Sequence, residues 1–321
     1  MQYRLLRNSS KWKLTARFNQ LKERNITMSR KILFTGAATA LVTPFSEDGV
    51  DFLALGNIID YQIDNGIDAL VICGTTGEAA TMPDKEHLSV IDYSIKRANG
   101  RVPIIAGTGS NDTAHCVELS QEAQNLGADG LLITTPYYNK ATQKGLMMHY
   151  DKVLEKTNIP IILYNVPGRT GMSYAIPTLK ELAKDERIVG IKEASGNIEY
   201  ATEVAANCPE LTMYSGNDDM VVPILSLGGK GVISVLSNVA PKETHEMCQK
   251  WFDGDIEGSR KMQFDYLELI HSLFCEVNPI PVKTAMNMMG FNAGMLRLPL
   301  CEMASANYER LERAMKACGL I

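Results

Sequence analysis

From about residue 37 the chain alternates short apolar runs with longer stretches in which apolar positions recur every three or four residues. The short runs are AATALV from 37, DALVICG from 68, VPIIAG from 102, GLLITT from 130, PIILYNV from 160, IVGIKEA from 188, LTMYSG from 211 and GVISVL from 231. Each is nearly continuous in apolar residues, as a strand covered on both faces must be, and this is the mark of a parallel sheet. Between them lie helical patterns such as DFLALGNIIDYQIDNG, PDKEHLSVIDYSIKRANG, DTAHCVELSQEAQNLG and QKGLMMHYDKVLEKT, several closing on a glycine that can cap a helix. Pro83 and Pro177 stand where a first-turn proline is tolerated. Eight such units predict an α/β fold, a (β/α)8 TIM barrel. An open doubly wound sheet is the alternative, but no G-x-G-x-x-G follows the first run.

Beyond about residue 255 the β-branched runs stop and GSRKMQFDYLELIHSLFCE, VKTAMNMMG and CEMASANYERLERAMKACG read as helices. The expected organisation is a basic, unstructured extension over 1–27, a catalytic barrel over 28–254 and a C-terminal helical appendage over 255–321.

Charge changes the picture in one place. The chain carries a net −5, yet residues 1–27 hold seven basic side chains against the single acid Glu23, so the body is more acidic than the total suggests. That excludes nucleic acid as a general partner, since phosphate binding needs a net basic face. The segment reads either as an organelle transit peptide or as an upstream start with Met28 the natural first residue. No run of about 18 apolar residues exists, so no membrane span is expected. Seven scattered cysteines without a C-x-x-C pair predict free thiols in a cytoplasmic protein, and five histidines at no ligand spacing predict no bound metal.

In a barrel of this kind the chemistry lies where strands end and the following loops begin. The second run ends in Gly74-Thr75-Thr76-Gly77-Glu78, a turn suited to presenting amides and hydroxyls to an anion. The fourth ends in Thr135-Pro136-Tyr137-Tyr138-Asn139 and the fifth in Tyr164-Asn165-Val166-Pro167-Gly168-Arg169-Thr170. A tyrosine there serves either as a packing aromatic or as a proton carrier. The sixth run places Lys192 in an otherwise apolar strand, pointing either into the barrel or toward the helices. Desolvation disfavours an ammonium, and a neutral amine is the form that attacks a carbonyl; the alternatives are a lysine snorkelling from the strand end or paired with Glu193. The seventh and eighth runs add Ser215-Gly216-Asn217-Asp218 and Gly231-Val232-Ile233-Ser234. A lysine, three tyrosines, an arginine and two Gly-polar turns at one end of consecutive strands point to a single site.

With GTTGE at 74–78, PYYNK at 136–140, YNVPGRT at 164–170 and IKEASGN at 191–197, the chain resembles the pyruvate-dependent class I aldolase family of dihydrodipicolinate synthases and N-acetylneuraminate lyases. The resemblance runs from about Phe34 to the C-terminus. It implies that Lys192 forms an imine with pyruvate and that the derived enamine attacks L-aspartate 4-semialdehyde, giving the cyclic 4-hydroxy-tetrahydrodipicolinate of lysine biosynthesis. It further implies Tyr164 as proton donor and acceptor, linked through Thr76 to Tyr138 of a neighbouring subunit. Thr75 and Thr76 would hold the pyruvate carboxylate, Gly216 and Ile233 would line the pocket, and Arg169 would pair with the semialdehyde carboxylate. No cofactor is implied, and a homo-oligomer is expected, a tetramer of two tight dimers. The alternative is an N-acetylneuraminate lyase or another pyruvate-dependent 2-keto acid aldolase, disfavoured because Arg169 suits an acidic aldehyde better than a neutral amino sugar. A catalytically silent barrel would be expected to lack the lysine or a relay tyrosine.

One departure concerns regulation. The lysine-inhibited relatives bind lysine in a cleft with a carboxylate where this chain has His115 and an imidazole where it has Asp84, although Asn111, Tyr137 and His87 match. Weak or absent lysine inhibition is expected from the missing carboxylate.

Overall fold

A computed structural model describes residues 30–321, so the basic extension expected over 1–27 lies outside the described residues. All eight apolar runs are strands: β1 (Gly36–Ala40), β4 (Ala69–Ile72), β5 (Ile104–Gly107), β6 (Gly130–Thr134), β7 (Ile161–Asn165), β8 (Ile188–Glu193), β9 (Thr212–Ser215) and β10 (Gly231–Ser234). They pair in parallel and close into a barrel, with β1 bonded to both β4 and β10. The (β/α)8 reading therefore holds and the open sheet is excluded. A small antiparallel hairpin, β2 (Phe45–Ser46) and β3 (Gly49–Val50), precedes the first helix and was not legible as strand.

The two faces of each strand feed two cores, as the period of two along a strand requires. Ala38, Ala69, Ile105, Ile162, Val189 and Ile233 fill the barrel interior, while Leu70, Leu131, Leu163, Met213 and Val232 pack outward against the helices. Phe34 closes the lower end: its ring stacks on Tyr214 at 4.2 Å, and the Tyr214 hydroxyl donates to the Phe34 carbonyl at 2.8 Å.

The four quoted helical patterns form Phe52–Asp64, Asp84–Ala98, Thr113–Leu126 and Gln143–Leu154. Gly127, at φ 99°, caps the third as expected. Pro83 precedes its helix by one residue, whereas Pro177 lies in the first turn of Ile176–Leu182. After the last barrel helix, Pro241–Phe252, come Ile256–Asp265, Leu267–Ser272, Ile280–Met288 and Ser305–Ala317. The stretch read as one helix from Gly258 thus breaks at Tyr266, and the final helix starts later than its pattern suggested. Leu269, Met286 and Leu311 of these helices share the outer core with the barrel helices. No helix among the described residues is long and apolar enough to cross a membrane.

Below the barrel, Asp68 ties three elements together. Its carboxylate accepts from the Ala37 amide at 2.7 Å and meets His245 Nδ1 at 2.8 Å. The hydrogen bond to Asp68 raises the His245 pKa above its ordinary value of about 6.5, against a smaller opposing effect of burial. A raised imidazole stabilises the fold fully below the unfolded pKa and loses that contribution as pH rises through the folded one. Thermal melts should therefore show His245→Gln losing about 1 kcal/mol at pH 6 and almost nothing at pH 9. An equal loss at both pH values would remove the charged pair from the account.

Candidate active site

Lys192 faces the barrel interior, and the reason lies in the strand register. Between Ile161 and Ile162 the pairing of β7 with β8 shifts by a residue, so that Ile161 pairs Ile188 but Ile162 pairs Gly190. Such an irregularity resets which residues point in. Val189 lies in the interior core before the shift and Ile191 lies in the outer core after it, which turns Lys192 inward and Glu193 outward. Register then sets Lys192 beside Tyr164 on β7 and Tyr214 on β9. Its Nζ lies 4.4 Å from the centre of the Tyr164 ring, and both side chains are buried. Glu193 pairs elsewhere, accepting from Asn165 Nδ2 and the Ser195 amide at 2.7 Å each, so the alternative of a Lys192–Glu193 pair is set aside. Burial raises the Glu193 pKa, partly offset by those two donors.

A cavity of about 200 Å³ opens above Lys192, lined among others by Gly74, Thr75, Thr76, Tyr164, Arg169 and Gly216. The sharp GTTGE turn brings the threonines in. Gly77 packs where an added Cβ would lie 3.1 Å from the Leu41 carbonyl, and Glu78 adopts a left-handed conformation at φ 55°. Gly216 is similarly demanded: a Cβ there would lie 2.4 Å from that of Ala194. Arg169 sits on the short helix Pro167–Thr170, with Nη2 donating to the Asn278 carbonyl at 3.3 Å.

Two expected residues lie apart from this cavity within the chain. Ile233 is fully buried in the barrel interior, and Val235 supplies the cavity wall beyond β10. Tyr138 is 91% exposed, on a loop where it and Lys140 both have positive φ. That loop is held by Asn111, whose Nδ2 donates to the Tyr137 carbonyl at 3.2 Å while its own carbonyl accepts from Asn139.

Two residues at the site escaped sequence reasoning about chemistry. Asn278, from the loop before helix Ile280–Met288, donates through Nδ2 to the Thr76 hydroxyl at 3.0 Å. Asp218, noted only as part of a turn, is buried and accepts the Val235 and Leu236 amides at 3.0 Å each, fixing the wall over β10. Burial raises the Asp218 pKa, opposed by those donors and by the positive charge of Lys192. No group of three or more His, Cys, Asp or Glu side chains among the described residues is placed to hold a metal ion.

A larger cleft of about 630 Å³ adjoins the cavity and contains Asp84, His87, Ser110, His115 and Tyr137. His115 Nε2 lies 2.9 Å from Asp84 Oδ1, and its Nδ1 lies 3.2 Å from Ser110 Oγ. The cleft therefore does contain a carboxylate, that of Asp84, engaged by the His115 imidazole.

Fold and cavity define a (β/α)8 barrel enzyme with its site at the C-terminal mouth. The chain belongs to the dihydrodipicolinate synthetase family, whose model matches residues 33–318. A 4-hydroxy-tetrahydrodipicolinate synthase of Acetivibrio thermocellus is 56% identical over 293 residues, covering 91% of this chain and 100% of that protein. Among solved structures, a dihydrodipicolinate synthase superimposes with a TM-score of 0.88 at 47% identity, covering 90% of this chain and 100% of the other. The dihydrodipicolinate synthase of Aquifex aeolicus has a TM-score of 0.88 at 43% identity, covering 89% and 99%.

Proposed function

We propose that this chain condenses pyruvate with L-aspartate 4-semialdehyde to 4-hydroxy-tetrahydrodipicolinate in lysine biosynthesis, with Lys192 as the covalent nucleophile. The observation that carries the reading is the inward Lys192 amine beside the Tyr164 ring in a cavity that Thr75, Thr76 and Arg169 also line. The amine adds to the pyruvate ketone, and loss of water leaves an imine. Loss of a methyl proton gives an enamine, whose carbon bonds to the aldehyde carbon while the aldehyde oxygen takes a proton. The amino group of the second substrate then displaces Lys192 from the imine carbon, closing the ring and freeing the enzyme.

Tyr164 carries protons for these steps; its ring lies beside the amine and its side chain lines the cavity. Thr76 relays them, and Thr75 with Thr76 holds the pyruvate carboxylate. Gly216 lines the pocket, whereas Ile233 contributes to the barrel interior rather than to the pocket wall. The 91% exposure of Tyr138 fits a residue that completes the site of a second copy, which makes a tight dimer the smallest active assembly. Arg169 binds the semialdehyde carboxylate as a planar donor fork.

The deciding assay measures pyruvate consumption with L-aspartate 4-semialdehyde beside N-acetylmannosamine. Turnover with the semialdehyde is expected; turnover with the amino sugar alone would reassign the second substrate while keeping the Lys192 chemistry. Arg169→Ala should raise the half-saturating semialdehyde concentration by about 10- to 100-fold, the value of a charged hydrogen bond, with pyruvate adduct formation almost unchanged. A larger effect on the pyruvate step would place the arginine with the first substrate.

A further inference from the structure

We infer that Asn278 is a positioning residue that sets the direction in which the Thr76 hydroxyl passes its proton; this rests on the proton-relay reading of Thr76 given above. A threonine hydroxyl has one proton and two lone pairs, whereas an amide nitrogen has only protons to give. Asn278 Nδ2 donates to Thr76 Oγ1 at 3.0 Å, so the Thr76 proton is left to point away from Asn278, toward the cavity it shares with Tyr164 and Lys192. Asn278 is buried, and its Oδ1 has no partner among the described residues.

The same residue reaches the second-substrate side of the cavity through its backbone, which accepts from Arg169 Nη2 at 3.3 Å. One residue of the C-terminal segment thus contacts both the relay hydroxyl and the guanidinium, although it lies 202 positions from Thr76 in sequence. The charged and titratable side chains that line the cavity with it are Lys192, Tyr164 and Arg169, and the adjoining cleft, which Asn278 also lines, adds Glu78, Asp84, His87, His115 and Tyr137.

The test compares Asn278→Ala and Asn278→Asp with the wild-type enzyme in two measurements. Borohydride trapping with pyruvate, read by mass spectrometry, reports the Lys192 adduct; the wild type and both variants are expected to form it, which also shows that the site is assembled. Steady-state kcat is then followed between about pH 5.5 and 9. Asn278→Ala should lower kcat by up to about 10²-fold, as misdirection of a catalytic group does, with little change in the KM for pyruvate. Asn278→Asp should be as slow near neutral pH, because an ionised carboxylate only accepts and draws the Thr76 proton the wrong way. At low pH the protonated carboxyl donates as the amide does, so its kcat should rise relative to that of Asn278→Ala. Superimposable profiles for the two variants, or an alanine variant within twofold of wild type, would overturn the proposal. Absence of a Lys192 adduct in the wild type would instead reject the mechanism on which it rests.

Discussion

Lys192→Ala is expected to reduce condensation of pyruvate with the semialdehyde by at least about 10³-fold and to abolish the borohydride-trapped pyruvate adduct. Among the described residues no other amine lines the cavity: the other cation there is Arg169, a guanidinium that stays charged and cannot serve as the nucleophile. The loss should fall on chemistry rather than on folding. Lys192 packs on the face of Tyr164, and although removing the amine takes a favourable charge from buried Asp218, that carboxylate keeps the Val235 and Leu236 amides while Glu193 keeps Asn165 and Ser195. Circular dichroism should therefore match the wild type. An alanine variant that still accumulates a pyruvate adduct would move the nucleophile to another residue.

Lys283→Ala is expected to have the largest effect on stability, about 3–5 kcal/mol, the cost of breaking a buried ion pair from one side. Lys283 and Glu78 have side chains 1% exposed, 2.8 Å apart. Lys283 Nζ also donates to the carbonyls of Thr43 at 2.9 Å and Met295 at 2.6 Å, and it lies 4.7 Å from the Phe45 ring centre. Burial lowers the Lys283 pKa, and Glu78 partly restores it. With alanine at 283, Glu78 keeps the Arg297 amide at 3.1 Å but faces an uncompensated interior. The melting temperature should fall by roughly 10 °C. Glu78→Gln combined with Lys283→Met should cost less than Lys283→Ala alone, because the pair is then removed together. A single-variant loss below about 1 kcal/mol would show that water or a rearranged Arg297 replaces the ammonium. Glu78 ends the turn that presents Thr75 and Thr76, so this pair also anchors the cavity-lining turn to helix Ile280–Met288.

The barrel was legible because each strand is covered on both faces, and eight near-continuous apolar runs separated by helical periodicity leave few ways to hide that surface. Most of the candidate site was legible for a related reason. Polar and glycine-rich residues that interrupt such runs at their ends, as at Thr76, Tyr164, Arg169, Lys192 and Gly216, converge wherever the strands share one open end. The break at Tyr266 was missed because apolar residues continue at helical spacing across it. Asn278 was missed because its loop carries no periodicity, and Lys283 because one lysine in an amphipathic stretch looks like any solvated charge.

The sequence by itself determined the order of strands and helices and the presence of an amine within an apolar strand. Only the tertiary structure decided which way that amine faces, since an alternating pattern defines two faces and leaves their assignment to closure of the barrel and the register of β7 on β8. It also decided what Thr76 and Glu78 touch. Their partners, Asn278 and Lys283, lie 202 and 205 positions away, and contacts at such separations arise from packing that local patterns do not encode.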